Sequence, residues 1–502
     1  MNDKSIRQET RGRGVTDFDR AVADQERAER VKQVRGKIDE LGIDYIYYQY
    51  VSITGRIMGK AVPAFHWEQV AREGVQTWIG GLTNVFADRG GNLIGFPPNA
   101  SELLALPDPE TFCQLPWNKR IARVFCSVFW NREEEHCPGA HMDMDCRGNL
   151  RRIDAEFRAA HDGLHMRVGC EPEMLWLKPG EGSEPYKGTT KPYAYHIDQF
   201  EQLSDVWLRV YDYATAMGLD MIQGDHEDAP GQIELNFTYD TVLNTSDRLT
   251  TYRQICAQVA REFGLIAVFM SKPYMGRPAN GCHHNISLWR GGSHKLVRLV
   301  PDPLPGMDEV FSYIKGGTNE QHDPSERWLP AETGRHALGG MLTHLNALTA
   351  IGSSTVNSYR RLNDTGMWAP VGASWGLQNR SCAIRVSSPD RFEFRAVDSM
   401  VNPYLMQAAL LKAIDDGLTN KIDPGEPEER NFAAVMASGE KIDRIPNTLE
   451  QALDALAANE VVKSALPGEL YTIYDWYKRD EWSRFIWQVS NWDVDTYLDC
   501  LP

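Results

Sequence analysis

Three short stretches of this chain alternate acids or arginines with apolar residues: Gly169-Cys-Glu-Pro-Glu-Met174, Gly231-Gln-Ile-Glu-Leu-Asn-Phe237 and Arg391-Phe-Glu-Phe-Arg395. Successive strand side chains point to opposite faces. Glu171 and Glu173 therefore share a face, as do Gln232, Glu234 and Asn236, and as do Arg391, Glu393 and Arg395. One such strand reads as a solvated surface; three imply a sheet that lines a charged cavity. Glu171, Glu173, Glu227, Glu234, His283 and Glu393 form an oxygen-rich donor set suited to magnesium or manganese, of which manganese better tolerates imidazole. Brought together without cations, these acids would repel one another and be costly to bury. Arg361, Arg380, Arg385, Arg391 and Arg395 supply planar forks that fit carboxylate or phosphate. They point to an anionic substrate, the alternative being structural salt bridges to the same glutamates.

The elements that must hold these residues follow from periodicity and punctuation. A charged helix is expected over 16–41, opened by Thr16 as N-cap and closed by Gly42. Two strands should flank the turn at Thr54-Gly55 within 44–63, with another near 121–129. Residues 131–145 are polar and turn-rich and read as a linker. Beyond it, helices are expected at 148–161, 198–217, 246–262, 339–351, 403–416 and 448–458. Strands are expected near 168–177, 232–239, 265–270, 283–289, 380–386 and 391–396. The stretch 423–447, rich in Pro, Gly and charge, reads as an exposed flap. The fold class is α+β, with a disordered tail over 1–15, an N-terminal domain over 16–130 and a catalytic domain over 140–502.

The bulk properties narrow the function. A chain of 502 residues buries a large core and suits two domains. A net charge of −16 argues against a nucleic-acid partner, which would require a basic stripe. The longest apolar run, 265–270, is far short of the ~20 residues that span a bilayer, so no membrane role is expected. Nine cysteines without a CxxC pair argue against a zinc site or a disulfide framework and suit a reduced, cytoplasmic setting.

The same residues carry a resemblance. From about 36 to the C-terminus the chain resembles the glutamine synthetase family, class I in layout. Cys170-Glu-Pro-Glu-Met174 is similar to its first metal strand, and His226-Glu227 with Ala229-Pro-Gly-Gln-Ile-Glu234 to its second. Lys272-Pro273 with Asn280-Gly-Cys-His-His-Asn-Ile-Ser-Leu-Trp289 is similar to its nucleotide segment. Ser354 to Leu362, Asn379 to Arg385 and Asp398 to Leu405 continue in family order. The resemblance implies a β-grasp-like N-terminal domain and a catalytic domain whose sheet forms a funnel. It implies a homo-oligomer, a dodecamer in class I, in which the N-terminal domain completes a neighbour's site. Glu173, Glu227 and Glu234 would hold one metal; Glu171, His283 and Glu393 would hold a second. Asn285, Ser287, Arg380, Arg385 and Arg391 would contact ATP, and Arg361 and Arg395 would clamp L-glutamate. Arg380, Glu393 and Arg395 would be catalytic. ATP would phosphorylate the γ-carboxylate, two metals and the arginines would neutralise the transferred phosphoryl group, and an amine would displace phosphate.

Departures from the family pattern bear on the amine. Ordinary members hold ammonium with two carboxylates; here Trp368, before Ala369-Pro370, stands in place of one, and Trp78 in place of the other. Indole rings make an apolar, π-faced pocket that suits a bulky neutral amine rather than ammonium. Tyr193 would add a wall, and Gly80 and Gly81 would leave room for a ring. The implied relatives are γ-glutamylanilide synthetases of aromatic-amine degradation. The alternatives are a ligase for alkylamines, ethanolamine or polyamines, because Trp also attracts cations, and a non-catalytic structural relative. Pro278-Ala279 replaces an Asn-Gly that touches glutamate in the family, and Asn431-Phe-Ala433 occupies the flap that carries an adenylylated tyrosine in some members.

Overall fold

The computed structural model describes residues 14–84, 86–96, 99–180, 185–187, 194–296, 312–315, 317–321, 330–363, 368–388 and 390–499. The strands in chain order are β1 Tyr45–Val51, β2 Ile57–Pro63, β3 Val75–Trp78, β4 Glu102–Pro107, β5 Cys113–Leu115, β6 Asn118–Trp130, β7 His165–Leu177, β8 Met221–His226 and β9 Gln232–Phe237. They continue as β10 Asp240–Thr241, β11 Ile266–Val268, β12 Cys282–Arg290, β13 Ser293–Leu296, β14 Ser312–Lys315, β15 Thr318–Asn319, β16 Gly372–Leu377, β17 Cys382–Ser388 and β18 Arg391–Phe394. The N-terminal sheet runs β2-β1-β6-β4-β3, with β5 also on β6, and its β1–β6 pair is parallel. Helix Gln25–Leu41 buries Val34 and Ile38 in the core that this sheet shares with the rest of the chain.

The larger sheet runs β16-β17-β18-β12-β7-β9-β8, with β10 and β11 on β7 and β15 on β12. Its centre is β7. Pro172, which has no N–H to give, occupies the last register position that β7 shares with β12, where the missing donor costs least. Behind the sheet lies helix Pro403–Thr419, almost wholly buried and packed on Glu332–Thr343, Cys146–Ala160 and Val242–Phe263. Asn402 caps it by accepting from the Tyr404 N–H, and its amide donates to the carbonyls of Ser52 and Ile53 at 3.1 and 3.2 Å. One cap thus ties this buried helix to the hairpin region of the first sheet. No helix among the described residues is long and apolar enough to cross a membrane.

Several sequence expectations need correction. The helix expected over 16–41 is two, Asp17–Ala23 and Gln25–Leu41, because Asp24 leaves helical geometry and caps the second by accepting from Arg27 N–H. Thr16 and Gly42 do cap the ends, Gly42 in the left-handed region. The helices expected at 198–217 and 339–351 are each broken, at Leu203 and at His344. The stretch 423–447 is not simply a flap: helix Phe432–Ala437 is pinned by Phe432 and Val435 against Cys382. An added Cβ on Gly372 would lie 1.8 Å from the Phe432 ring, so the glycine makes that anchor possible. Helix Glu469–Ile486 lies outside the expected elements, because its charges are spread around its circumference and leave no apolar stripe. Residues 1–13 of the tail lie outside the described residues.

Candidate active site

Pairing within the larger sheet builds the site. Glu171 on β7 sits opposite His283 on β12. Glu393 on β18 sits opposite Asn285 on β12 and opposite Arg385 on β17. Glu173 faces Glu234 across β7 and β9, and Asp225 faces Glu234 across β8 and β9. Side chains of one cross-strand face thereby converge on a cavity of about 690 Å³. All six expected metal-binding residues line it, as do Arg361, Arg380, Arg385, Arg391 and Arg395.

Donor atoms of Glu171, His283 and Glu393 lie within 4.8 Å of one another. His283 Nδ1 is 3.3 Å from both Glu171 Oε2 and Glu393 Oε1. Burial, and after it the Arg395 guanidinium, push the His283 pKa well below its usual value, so the ring is neutral and ready to act as a ligand. Burial works against the Glu393 carboxylate, yet the Arg395 guanidinium holds its pKa below the usual value. Arg385 Nη1 donates to Glu393 Oε2 at 2.7 Å, and Arg395 Nη1 donates to Oε1. Asn285 donates to Glu171 Oε1 at 2.8 Å.

The second set is more crowded. Burial pushes Glu173 up to about 7 against the opposing pull of Arg361. Burial, then Glu173 and Asp225, push Glu227 up to about 9. Glu234 is raised well above its usual range by burial and Glu171. Such a cluster holds protons where its chemistry suits a divalent cation, so the residues fit hard metal ions. The Gly281 N–H donates to Glu173 Oε2 at 2.8 Å. A Cβ at Gly281 would come within 2.9 Å of Glu173 Oε1 and 3.0 Å of both Arg361 Nη2 and His283 Nε2. Only glycine leaves these three groups their positions.

The other expected residues are placed unevenly. Trp368 lines the cavity with its side chain exposed, and its backbone carbonyl accepts from Arg395 Nη2 at 2.8 Å. Asn285 and Ser287 line an adjoining cavity of about 230 Å³, which shares Glu171, Gln223 and Arg391 with the first. Trp78 lines neither; it ends β3 opposite Glu102 and packs against its own chain's core. The room at Gly80 is used by that same indole, since a Cβ there would lie 2.2 Å from Trp78 Cζ3, and Gly81 abuts the Tyr50 hydroxyl. The glycines therefore accommodate the chain's own rings. Tyr193 lies outside the described residues.

Sequence reasoning missed Tyr195, Asp225 and Asp228, all of which line the main cavity. Asp225 is two residues before Glu227 and was detectable by alternation; burial and Glu171 push it up to about 6. Asp228 Oδ1 accepts from Ala194 N–H at 2.7 Å, and Tyr195 N–H donates to the His226 carbonyl at 2.8 Å. These bonds clip Tyr195, held at φ +62°, beside Glu227. No local signal foretells a tyrosine in the left-handed region, which is costly for such a side chain and here paid by the clip.

Residues 143–298 and 301–497 match the family model described as the glutamine synthetase catalytic domain. The glutamine synthetase of Rhizobium meliloti is 32% identical over 471 residues, covering 92% of this chain and 98% of that protein. The chain belongs to the glutamine synthetase family. It is an ATP-dependent glutamate–amine ligase. The glutamate–methylamine ligase of Methyloversatilis universalis is 32% identical over 477 residues, covering 92% of this chain and 98% of that one. A solved structure described as a GmaS/ADP complex, 29% identical, superposes with a TM-score of 0.78 over 93% of this chain and 99% of that chain. The α+β class and the sheet-lined catalytic fold expected from the resemblance are those of this family, and a non-catalytic relative is set aside.

Proposed function

We propose that this ligase joins the γ-carboxylate of L-glutamate to a bulky, neutral amine of the aniline type. The observation that carries the reading is Trp368, an exposed tryptophan among the residues lining the cavity, at the position where an ordinary member would present an acid. An indole cannot remove ammonium's proton, whereas an amine already neutral at pH 7 does not need that step. Bound magnesium or manganese would neutralise charge on the ATP phosphates and on the transferring phosphoryl group. Glu171, His283 and Glu393 would hold one ion, and Glu173, Glu227 and Glu234 another.

The chain's own residues would do the rest. Arg380, Arg385 and Arg391 bind and orient the nucleotide phosphates, with Asn285 and Ser287 on the adjoining cavity towards the nucleoside. Arg361 and Arg395 clamp the glutamate carboxylates. The γ-carboxylate oxygen attacks the terminal phosphorus, the bond to ADP breaks, and the amine nitrogen then attacks the acyl carbon as phosphate leaves and the nitrogen loses a proton. Asp225 and Asp228 lie at the cavity wall where that proton can be received. Trp78 would wall the site of an adjacent subunit in a ring, a dodecamer by the family's class I layout.

A second reading is an alkylamine acceptor. Asp225 and Asp228 restore negative charge to the cavity, and similarity to a glutamate–methylamine ligase favours it. Steady-state ADP release with saturating glutamate, comparing aniline, methylamine, isopropylamine, putrescine and ammonium, separates the two. Highest kcat/KM with aniline is expected; highest turnover with methylamine would select the second reading, and with ammonium would remove both.

A further inference from the structure

Behind the metal face, three residues that play no part in the ligase reaction come together. Cys170 precedes Glu171 on β7, and Cys282 and His284 flank His283 on β12, so their side chains point away from the cavity into the core. Cys170 and Cys282 are free and buried, and His284 is fully buried. The two sulfurs and a His284 ring nitrogen lie within 4.8 Å of one another. His284 Nδ1–H donates to the Cys282 carbonyl at 2.7 Å and lies 3.8 Å from Cys170 Sγ. This ring is therefore fixed beside the dithiol by the backbone that carries it.

We propose that Cys170 and Cys282 form an oxidisable dithiol whose conversion to a disulfide by a small peroxide disarms the metal site. One thiol sulfur attacks the peroxide: a sulfur–oxygen bond forms, the oxygen–oxygen bond breaks, and the thiol's proton passes to the departing hydroxide, which leaves as water. The second sulfur attacks the sulfenic sulfur; the sulfur–sulfur bond forms, and the hydroxyl leaves as water with the second thiol's proton. Two thiols and one hydrogen peroxide thus give one disulfide and two waters. The geometry makes this consequential, because a disulfide holds its sulfurs at ~2.05 Å with restricted torsion. Drawing the sulfurs together pulls on β7 and β12 at positions adjacent to Glu171 and His283, and metal sites lose about 10–100-fold in affinity when supporting contacts shift. Cys170 borders the adjoining cavity of about 230 Å³, which is the approach open to a small peroxide.

The test uses the full-length enzyme and does not depend on which amine it prefers. Hydrogen peroxide treatment, iodoacetamide trapping and peptide mapping report the disulfide; manganese electron paramagnetic resonance reports metal binding; ADP release reports activity. A Cys170–Cys282 disulfide, manganese binding weakened ~10-fold or more, and recovery of both signals with dithiothreitol are expected. Cys170→Ser and Cys282→Ala should keep metal binding through the same treatment. Free, alkylated Cys170 and Cys282 after inactivation would overturn the proposal. So would a mapped disulfide with unchanged manganese affinity, or loss that dithiothreitol fails to reverse. Mapping on the wild type keeps the test decisive if either variant folds poorly.

Discussion

The crowding of Glu173, Glu227 and Glu234 makes a quantitative prediction about protons. In the metal-free protein, Glu227 is pushed up to about 9 and Glu173 to about 7, with Glu234 raised well above its usual range. At pH 7, Glu227 is then protonated and Glu173 about half so, with Glu234 shifted in the same direction by burial and Glu171. Metal ions bind the deprotonated acids, so loading the site should expel about 1.5 protons per chain from Glu227 and Glu173 together, and more with any that Glu234 holds. Calorimetric titration of manganese at pH 7 in buffers of different ionisation enthalpy reads that number from the slope. Glu227→Gln should lower it by about one. The same shifts fix the sign of a stability effect. These folded-state values exceed the unfolded carboxylate's, so the folded state binds more protons above the unfolded pKa, and metal-free stability falls as pH rises through 7 and 9. Neutral His283 works in the opposite sense only below its unfolded pKa near 6.5. Between pH 7.5 and 9.5 the melting temperature should therefore drop without metal, and the gain on adding manganese should widen. No buffer dependence of the binding heat, or a metal-free melting temperature that climbs over that range, would refute the argument.

Three further outcomes are expected. Trp368→Glu should raise the KM for aniline ~30-fold, since losing about 80 Å² of ring contact at ~25 cal/mol per Å² is worth about 2 kcal/mol, while ammonium use improves; unchanged selectivity between the two counts against the pocket. Gly281→Ala, which crowds Glu173, Arg361 and His283, should weaken metal binding by about 10–100-fold with circular dichroism unchanged, and wild-type manganese affinity would contradict the packing argument. Trp78→Ala should raise the aniline KM only in the assembled enzyme; native mass spectrometry beside the kinetics checks this, and an equal effect on separated subunits would place Trp78 in its own chain's site.

Much of the catalytic sheet was legible because alternation is a local property. Glu171, Glu173, Glu234, Arg391, Glu393 and Arg395 declare their shared faces within five or six residues, and the structure puts all six on one cavity. The helix ends at Thr16 and Gly42 were equally local, one a side-chain cap and the other a left-handed glycine. What only tertiary structure decided is which strands meet, and in what register. Glu171 stands against His283, and Glu393 against Arg385, through hydrogen-bonded pairings between segments more than a hundred residues apart or across a bulged hairpin. The breaks at Leu203 and His344, the strained Tyr195 on the cavity wall and the Trp78 indole folded over its own Gly80 arise from contacts that no window of neighbouring residues contains. Residue types state what chemistry is available; the cross-strand register determines which charges face each other, and so how many protons the site must hold when no metal is bound.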